Sequence, residues 1–471
     1  MTIARRPSEP AIAVRKGRLH SIYSLVLSRP MLLPVVGAFL LYVALFLLLQ
    51  GKPFALTPTH TLDSMPWLGR ISASLRPDII SATGDRSAQV TANAMLYGLI
   101  ALGLVGLWAM ALWLVRPGAY MLGLRWVLLA TVLFGIPLTL LAGMFSMDVY
   151  LYMFYGRIIS TYGENPMLVA PIRFVGDPHL EWFRWWKGLP SAYGPVWLLL
   201  SGMLSATGGD SQFANVLVYK LALLGLHIIT TVVVWFTLRR ARPELATWGA
   251  IFYGWNPLVL LETVGNGHND VMVAMFVALS LLSVAHQHWR LAVLALTAAA
   301  MVKVTALVLL PMLVLTWLFS LTGARARVRA TITAGVVVLV GGLAMYGPLW
   351  AGTAVFQNAI DNPAATMYRN SLWELLRSVI LSATGATAPA TVSAYLHVVR
   401  NLVFVIAFLV LLRRLWRGRD MAGGCVWVWF AYCLSLSWIW PWYFVLAIPL
   451  AAVGGPGRTA ALVAGLTLGG M

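Results

Sequence analysis

LLATVLFGIPLTLLAGMFSMDVYLYMFYGRIISTYGEN, residues 128–165, contains the boundary around which the rest of the chain is read. From Leu128 to Met144 it carries no charge and is long enough to cross hydrocarbon as a helix. After Phe145 it turns ionisable and aromatic. Asp148 therefore stands at the water-facing mouth of a membrane helix, where an unpaired buried carboxylate would be costly, and this makes it the first functional candidate. The competing structural reading is that Asp148 caps the helix that follows.

Composition sets the class. Hydrophobic residues make up 60% of the 471 residues and charged ones only 10%, with a mean hydropathy of +0.82, which excludes a soluble domain. Apolar runs fall near 31–50, 93–115, 126–145, 214–238, 246–262, 269–285, 291–302, 304–319, 330–348, 395–412, 423–438, 442–454 and 457–471. Several are shorter than the roughly 20 residues that cross a bilayer squarely. The run at 194–206 is shorter still and reads as interfacial or re-entrant. The first run is long, follows a basic leader and lacks a cleavage site, so no cleaved signal peptide is expected. The expected organisation is a basic cytoplasmic leader (1–30), N-terminal transmembrane helices with an outer loop (31–124), a membrane core (125–455) and a C-terminal apolar helix (456–471).

The formal charge of +18 is distributed as a membrane topology signal rather than as a nucleic-acid footprint. With the N-terminus inside, the inner segments collect most of the 33 basic residues, among them Arg239, Arg240, Arg325, Arg327, Arg413 and Arg414. Of the 15 acids only Glu9, Glu244 and Asp420 join them. This is the positive-inside pattern, with anionic lipid as the facing surface. Cys425 and Cys433 lie eight apart on one apolar run, so they read as core residues rather than a disulfide.

The same topology puts the polar content outside, in loops near 51–92, 146–213 and 349–392. The second contains His179-Leu180-Glu181-Trp182-Phe183-Arg184-Trp185-Trp186-Lys187, suited to a helix at headgroup level: either a membrane anchor or a wall for an amphiphilic substrate. Glu262, His268, Asn269 and Asp270 crowd one outer turn. For His268 a helix-cap role and a sugar- or phosphate-binding role both fit.

Several short motifs recur in order: Phe145-Ser146-Met147-Asp148-Val149-Tyr150, Gly163-Glu164-Asn165-Pro166, Ser191-Ala192-Tyr193-Gly194-Pro195-Val196, Trp255-Asn256-Pro257 leading to Gly267-His268-Asn269-Asp270, Val302-Lys303-Val304 and Pro441-Trp442-Tyr443. In this the chain resembles the GT-C glycosyltransferases that use polyprenol-linked sugars, most closely the polyprenyl-phosphate-mannose-dependent α-1,6-mannosyltransferases. The likeness covers about residues 125–455. It departs at Met147, where the family often has arginine, and at Met167, where it often has an aromatic residue.

The resemblance implies an all-α polytopic membrane protein, a GT-C-like bundle of about 11 to 13 transmembrane helices with outer-face loops and interfacial helices. It implies inverting transfer of a monosaccharide, mannose in the family, from a polyprenyl phosphate to a glycan or glycolipid hydroxyl. The site would face the extracytoplasmic side of an inner or plasma membrane, and the product linkage would be α. Such a donor carries an activated anomeric carbon and a leaving phosphate, so one base suffices. Asp148 fits the base, with Tyr150 and Tyr155 as walls or hydrogen-bond donors. Lys303 interrupts the apolar stretch 291–318 and, with Arg369, is placed to meet the phosphate; a structural salt bridge is the other reading of Lys303. Trp442 and Tyr443 pack on the prenyl chain or belong to the interfacial belt. Glu262, His268, Asn269 and Asp270 complete the substrate-binding set. No cofactor is required, the lipid-linked donor being a substrate; no metal site is assigned, and metal dependence stays open. Transfer of another prenyl-linked sugar such as arabinose, a glycan ligase using a prenyl pyrophosphate, a transporter and a structural partner of another transferase are the alternatives.

Overall fold

The computed structural model describes residues 29–49, 86–117, 119–141, 144–385, 389–418 and 420–471. The basic leader and nearly all of the first outer loop lie outside the described residues. The longer helices are α1 (Arg29–Leu49), α2 (Arg86–Leu114), α3 (Leu124–Thr139), α4 (Asp148–Ser160), α5 (Pro195–Gly208), α6 (Gln212–Ala241), α7 (Ala246–Gly254) and α8 (Asp270–Ala285). They continue with α9 (Trp289–Ala300), α10 (Leu310–Phe319), α11 (Ala324–Tyr346), α12 (Leu372–Thr384), α13 (Pro389–Gly418), α14 (Met421–Ser435), α15 (Ala447–Gly454) and α16 (Arg458–Gly469). Among the described residues there is no strand, only the isolated bridges Ala351–Thr353 and Arg369–Trp438. The chain is an all-α polytopic membrane protein.

Among the described residues five helices are long and apolar enough to cross a membrane: Pro30–Leu49, Val90–Leu114, Gln212–Ala241, Ala324–Leu349 and Pro389–Arg417. Two stretches of the remaining apolar sequence are interrupted inside. The run at 246–262 ends as α7 at Gly254, since Pro257 has no N–H to continue the ladder, and resumes as a π-helical segment, Leu260–Gly265. The stretch 291–318 is two pieces, α9 and α10, joined through Lys303 in extended backbone (φ −147°, ψ 113°) and a 3-10 turn.

Broken helices free carbonyls that hydrocarbon cannot solvate, each costing several kcal/mol if left unpaired. Helix α6 meets this need. It runs through the middle of the bundle against α3, α5, α7 and α8, and buries Lys220 and His227 completely. Nζ of Lys220 donates to the carbonyls of Gly265 (2.5 Å) and Leu138 (3.4 Å), while Nε2 of His227 donates to the carbonyl of Gly254 (2.9 Å). The ends of α3, α7 and the π-helical segment are thus all held by one helix. The segment 194–206, expected to be interfacial or re-entrant, is α5, packed between α4 and α6.

The tryptophan-rich piece 179–187 is not a helix. A 3-10 turn, Pro178–Trp182, gives way to extended backbone at Phe183, and Trp186 takes φ +70°. Its loop is tied to the C-terminal half of α4 by Asp177, which accepts from Arg157 Nε (2.5 Å), the Tyr162 hydroxyl (2.7 Å) and the His179 N–H (2.9 Å). Burial disfavours the Asp177 charge, but these donors outweigh it and bring its pKa down to about 2.

Candidate active site

Asp148 is the first residue of α4, and its carboxylate makes no capping hydrogen bond; its own N–H is taken by the Ser146 hydroxyl (3.1 Å). The side chain is 22% exposed and faces a cavity of about 660 Å³. The carboxylate stands at the start of the helix, where the helix dipole favours negative charge.

Behind it lies the turn 262–270. Gly267 adopts φ +85°, and a Cβ there would come within 2.8 Å of the Val149 Cβ, so only glycine lets this turn press against the start of α4. Asn266 fastens it, accepting from the Phe145 N–H (2.7 Å) and donating to Glu262 Oε2 (2.9 Å). The outcome is a fully buried His268, with Nδ1 2.9 Å from the Glu262 carbonyl and 3.1 Å from Glu262 Oε2, and Nε2 3.6 Å from Asp148 Oδ2. Trp442 stacks on the imidazole at 4.0 Å. Burial opposes a charge on His268, yet the Glu262 hydrogen bond and the charges of Glu262, Asp148 and Asp270 together hold its pKa above the ordinary imidazole value.

Lys303 sits across from this turn. Its ammonium bridges both oxygens of Asp270 (2.9 and 3.1 Å), lies 5.0 Å from the Tyr443 ring centre and keeps part of its surface in the cavity. The structural salt bridge and the cavity position are therefore both present. The lysine is aimed by α5: the Gly194 N–H donates to the Val302 carbonyl (3.0 Å) and the Val196 N–H to the Met301 carbonyl (3.1 Å). Arg369 lies on the third loop. Its backbone is paired with Ser437 and Ile439, and its exposed guanidinium lines the cavity without an ion pair among the described residues.

Of the residues singled out from sequence, Asp148, Tyr155, Lys303, Arg369, Trp442 and Tyr443 line this one cavity. Glu262, His268, Asn269 and Asp270 stand directly behind it. Tyr150 does not reach it: on a helix, position i+2 points away from the i, i+3, i+7 face that holds Asp148, Leu151 and Tyr155, and Tyr150 packs in the core on Trp182 (6.4 Å). Tyr155 lends its hydroxyl to the Leu189 carbonyl (3.1 Å). Sequence reading missed Tyr152, which bonds Asn269 (3.4 Å) and Tyr193 (3.3 Å), and the helical phase of Asp148 was the signal for it. It also missed an aromatic ladder. Trp442 is parallel to Trp440 (5.2 Å, 3°), which meets Trp438 edge-on (5.5 Å), which meets Trp186 (6.4 Å). Trp438 and Trp440 alternate in extended backbone, and the 3-10 turn Pro441–Phe444 that follows carries Trp442.

An all-α membrane bundle whose broken helices bring one carboxylate and two cations to an aromatic cavity has a GT-C-like build. Residues 65–319 match the family described as "Alpha-(1->6)-mannopyranosyltransferase, N-terminal domain", and the chain belongs to that family. It is similar to Alpha-(1->6)-mannopyranosyltransferase A of Mycobacterium tuberculosis, 30% identical over 48% of this chain and 44% of that protein. It is likewise similar to Alpha-(1->6)-mannopyranosyltransferase A of Corynebacterium glutamicum, 28% identical over 38% of this chain and 36% of that protein, and to the B protein of the same organism at 29% over 31% of this chain and 24% of that protein. The likeness spans less than half the length of each of these relatives.

Proposed function

We propose that this protein transfers a mannosyl residue, with inversion, from a polyprenyl-phosphate donor to a hydroxyl of a glycan or glycolipid on the extracytoplasmic face of the membrane. One observation carries the reading: a single carboxylate, Asp148, shares a largely aromatic cavity with Lys303 and Arg369. Retention through a covalent intermediate would call for a second carboxylate about 5 to 5.5 Å from the first, and Asp148 is the sole acid among the lining residues.

In the proposed reaction the acceptor hydroxyl attacks the anomeric carbon from the face opposite the phosphate. Asp148 takes the hydroxyl proton as the new C–O bond forms. The bond from the anomeric carbon to the phosphate oxygen breaks, its electron pair leaves with the prenyl phosphate, and Lys303 and Arg369 meet that charge. A β-linked donor gives an α-linked product. The prenyl chain fits the apolar part of the wall, near Trp442, Trp440 and Tyr443. The arginine-rich inner ends of the spans support the sidedness.

The test is transfer from a synthetic short-chain prenyl-phosphate mannose to a mannoside acceptor, followed by mass spectrometry. Asp148→Asn is expected to fold, bind both substrates and lose about 10²- to 10⁴-fold in rate, the usual contribution of a general base. Near-normal transfer by a well-folded variant would move the base elsewhere.

A further inference from the structure

His268 has an unusual setting for a residue that lines no cavity. Its ring is completely buried, clamped flat by Trp442, and each nitrogen faces a different carboxylate: Nδ1 faces Glu262 at 3.1 Å, and Nε2 faces Asp148 at 3.6 Å with no other partner. The Glu262 carbonyl, 2.9 Å from Nδ1, can only accept, so Nδ1 carries a proton. A neutral ring would then turn the bare lone pair of Nε2 towards the Asp148 carboxylate, two acceptors face to face. Geometry therefore favours the ring protonated at both nitrogens whenever Asp148 is ionised.

Resting on the assignment of Asp148 as base, we propose that Glu262 and His268 are positioning residues for it. Glu262 fixes the imidazole, and the charged ring draws Asp148 Oδ2 towards it across 3.6 Å, a charge contact rather than a hydrogen bond, leaving Oδ1 for the acceptor hydroxyl. Asn266 holds Glu262 from the far side, so the chain runs Asn266, Glu262, His268, Asp148, from the turn 262–270 to the start of α4. The groups facing His268 are Glu262 from the π-helical segment, Asp148 from α4 and Asp270 at the start of α8, the last paired with Lys303; the Tyr152, Tyr193 and Tyr443 hydroxyls lie further round the same cluster. A direct substrate-binding role for His268 would require its ring to reach the cavity, which Asp148 and Trp442 close off.

The relay predicts a pH signature. Loss of the Nε2 proton at high pH unseats the base, so the wild-type rate has an alkaline limb. In His268→Gln the alkaline limb disappears. The kcat falls by about 10- to 100-fold, while KM for donor changes little. In Glu262→Gln the cation loses an anion, so the alkaline limb moves to lower pH, a shift that general loosening of the fold does not produce. The assay is the synthetic-donor transfer measured from pH 5 to 10, with thermal melting beside it and Asp148→Asn as the inactive reference. A wild-type alkaline limb in folded His268→Gln, or a defect confined to donor KM, overturns the relay. Should His268→Gln not fold, an unmoved alkaline limb in Glu262→Gln does the same. If instead Asp148→Asn keeps its rate, it is the base assignment that fails, and the two results are distinguishable.

Discussion

Arg369 and Lys303 line the same cavity but differ in what their removal leaves behind. Lys303 neutralises Asp270, a carboxylate 4% exposed, so Lys303→Gln orphans a buried charge and is expected to cost about 3 to 5 kcal/mol of stability as well as donor affinity. Arg369 has no ion-pair partner to orphan among the described residues. Arg369→Gln should therefore leave the melting temperature within a degree or two while weakening donor binding by about 10-fold, the low end for a charge-assisted hydrogen bond because the group is exposed. Calorimetry in nanodiscs with a short-chain prenyl-phosphate sugar reads both; unchanged affinity in folded Arg369→Gln would remove it from the phosphate site. Asp148, Asp270 and Lys303 were legible in the sequence because charges interrupting apolar runs are expensive and so carry information. The tyrosines were less so. Neighbouring aromatic residues look alike until helical phase sorts them, which is why Tyr150 was singled out and Tyr152 was not.

Elements meet at the site through close approaches that composition hides. The motif Tyr193-Gly194-Pro195 and the motif Val302-Lys303-Val304 are 109 residues apart by subtraction of their first positions, yet they touch. At Gly194 a Cβ would stand 2.0 Å from the Met301 carbonyl oxygen, a backbone atom that cannot step aside. Gly194→Ala is expected to push the Lys303 segment off α5 and to destabilise the protein by about 1 to 3 kcal/mol, the usual range for overpacking. Donor affinity should fall with it, although the substitution is uncharged and touches no substrate. Thermal melting and donor calorimetry on the same sample check this, and a variant as stable as wild type would show that the contact is not tight. The break at Lys303 was readable from a lone lysine in apolar sequence, whereas 246–262 was read as one span and its break before Pro257 was not anticipated. The loop 179–187 was not readable: its indole content fits an interfacial helix equally well, and the deciding facts, the Asp177 tether and the positive φ of Trp186, are tertiary.

For the whole molecule the question is which face holds the cavity, and the long helices supply the argument for the proposed sidedness. Helix α11 starts beside Arg325, Arg327 and Arg329 and delivers Leu349, whose carbonyl accepts from Asn165 (2.7 Å) in the cavity-side loop. Its 23 residues rise about 35 Å, enough to cross the hydrocarbon. Helix α13 runs the opposite way, from Ser393, which accepts from Tyr368 and Arg377 near the cavity, to Arg413, Arg414 and Arg417. Its last turns meet the end of α10 through Trp416 and Phe319 (4.9 Å), so these two arginine clusters share one end of the bundle. Helix α6 likewise ends at Arg239 and Arg240. On the proposed sidedness, anionic lipid and the insertion machinery hold such clusters on the cytoplasmic side, and the cavity then faces out, open to the proposed donor in the outer leaflet. Single cysteines placed at Trp185 and at Arg325 test this in intact cells with a membrane-impermeant maleimide. The native Cys425 and Cys433 are buried and give a low background. The expected result is labelling at 185 without permeabilisation and at 325 only after it; the reverse pattern would invert the molecule and with it the source of the donor.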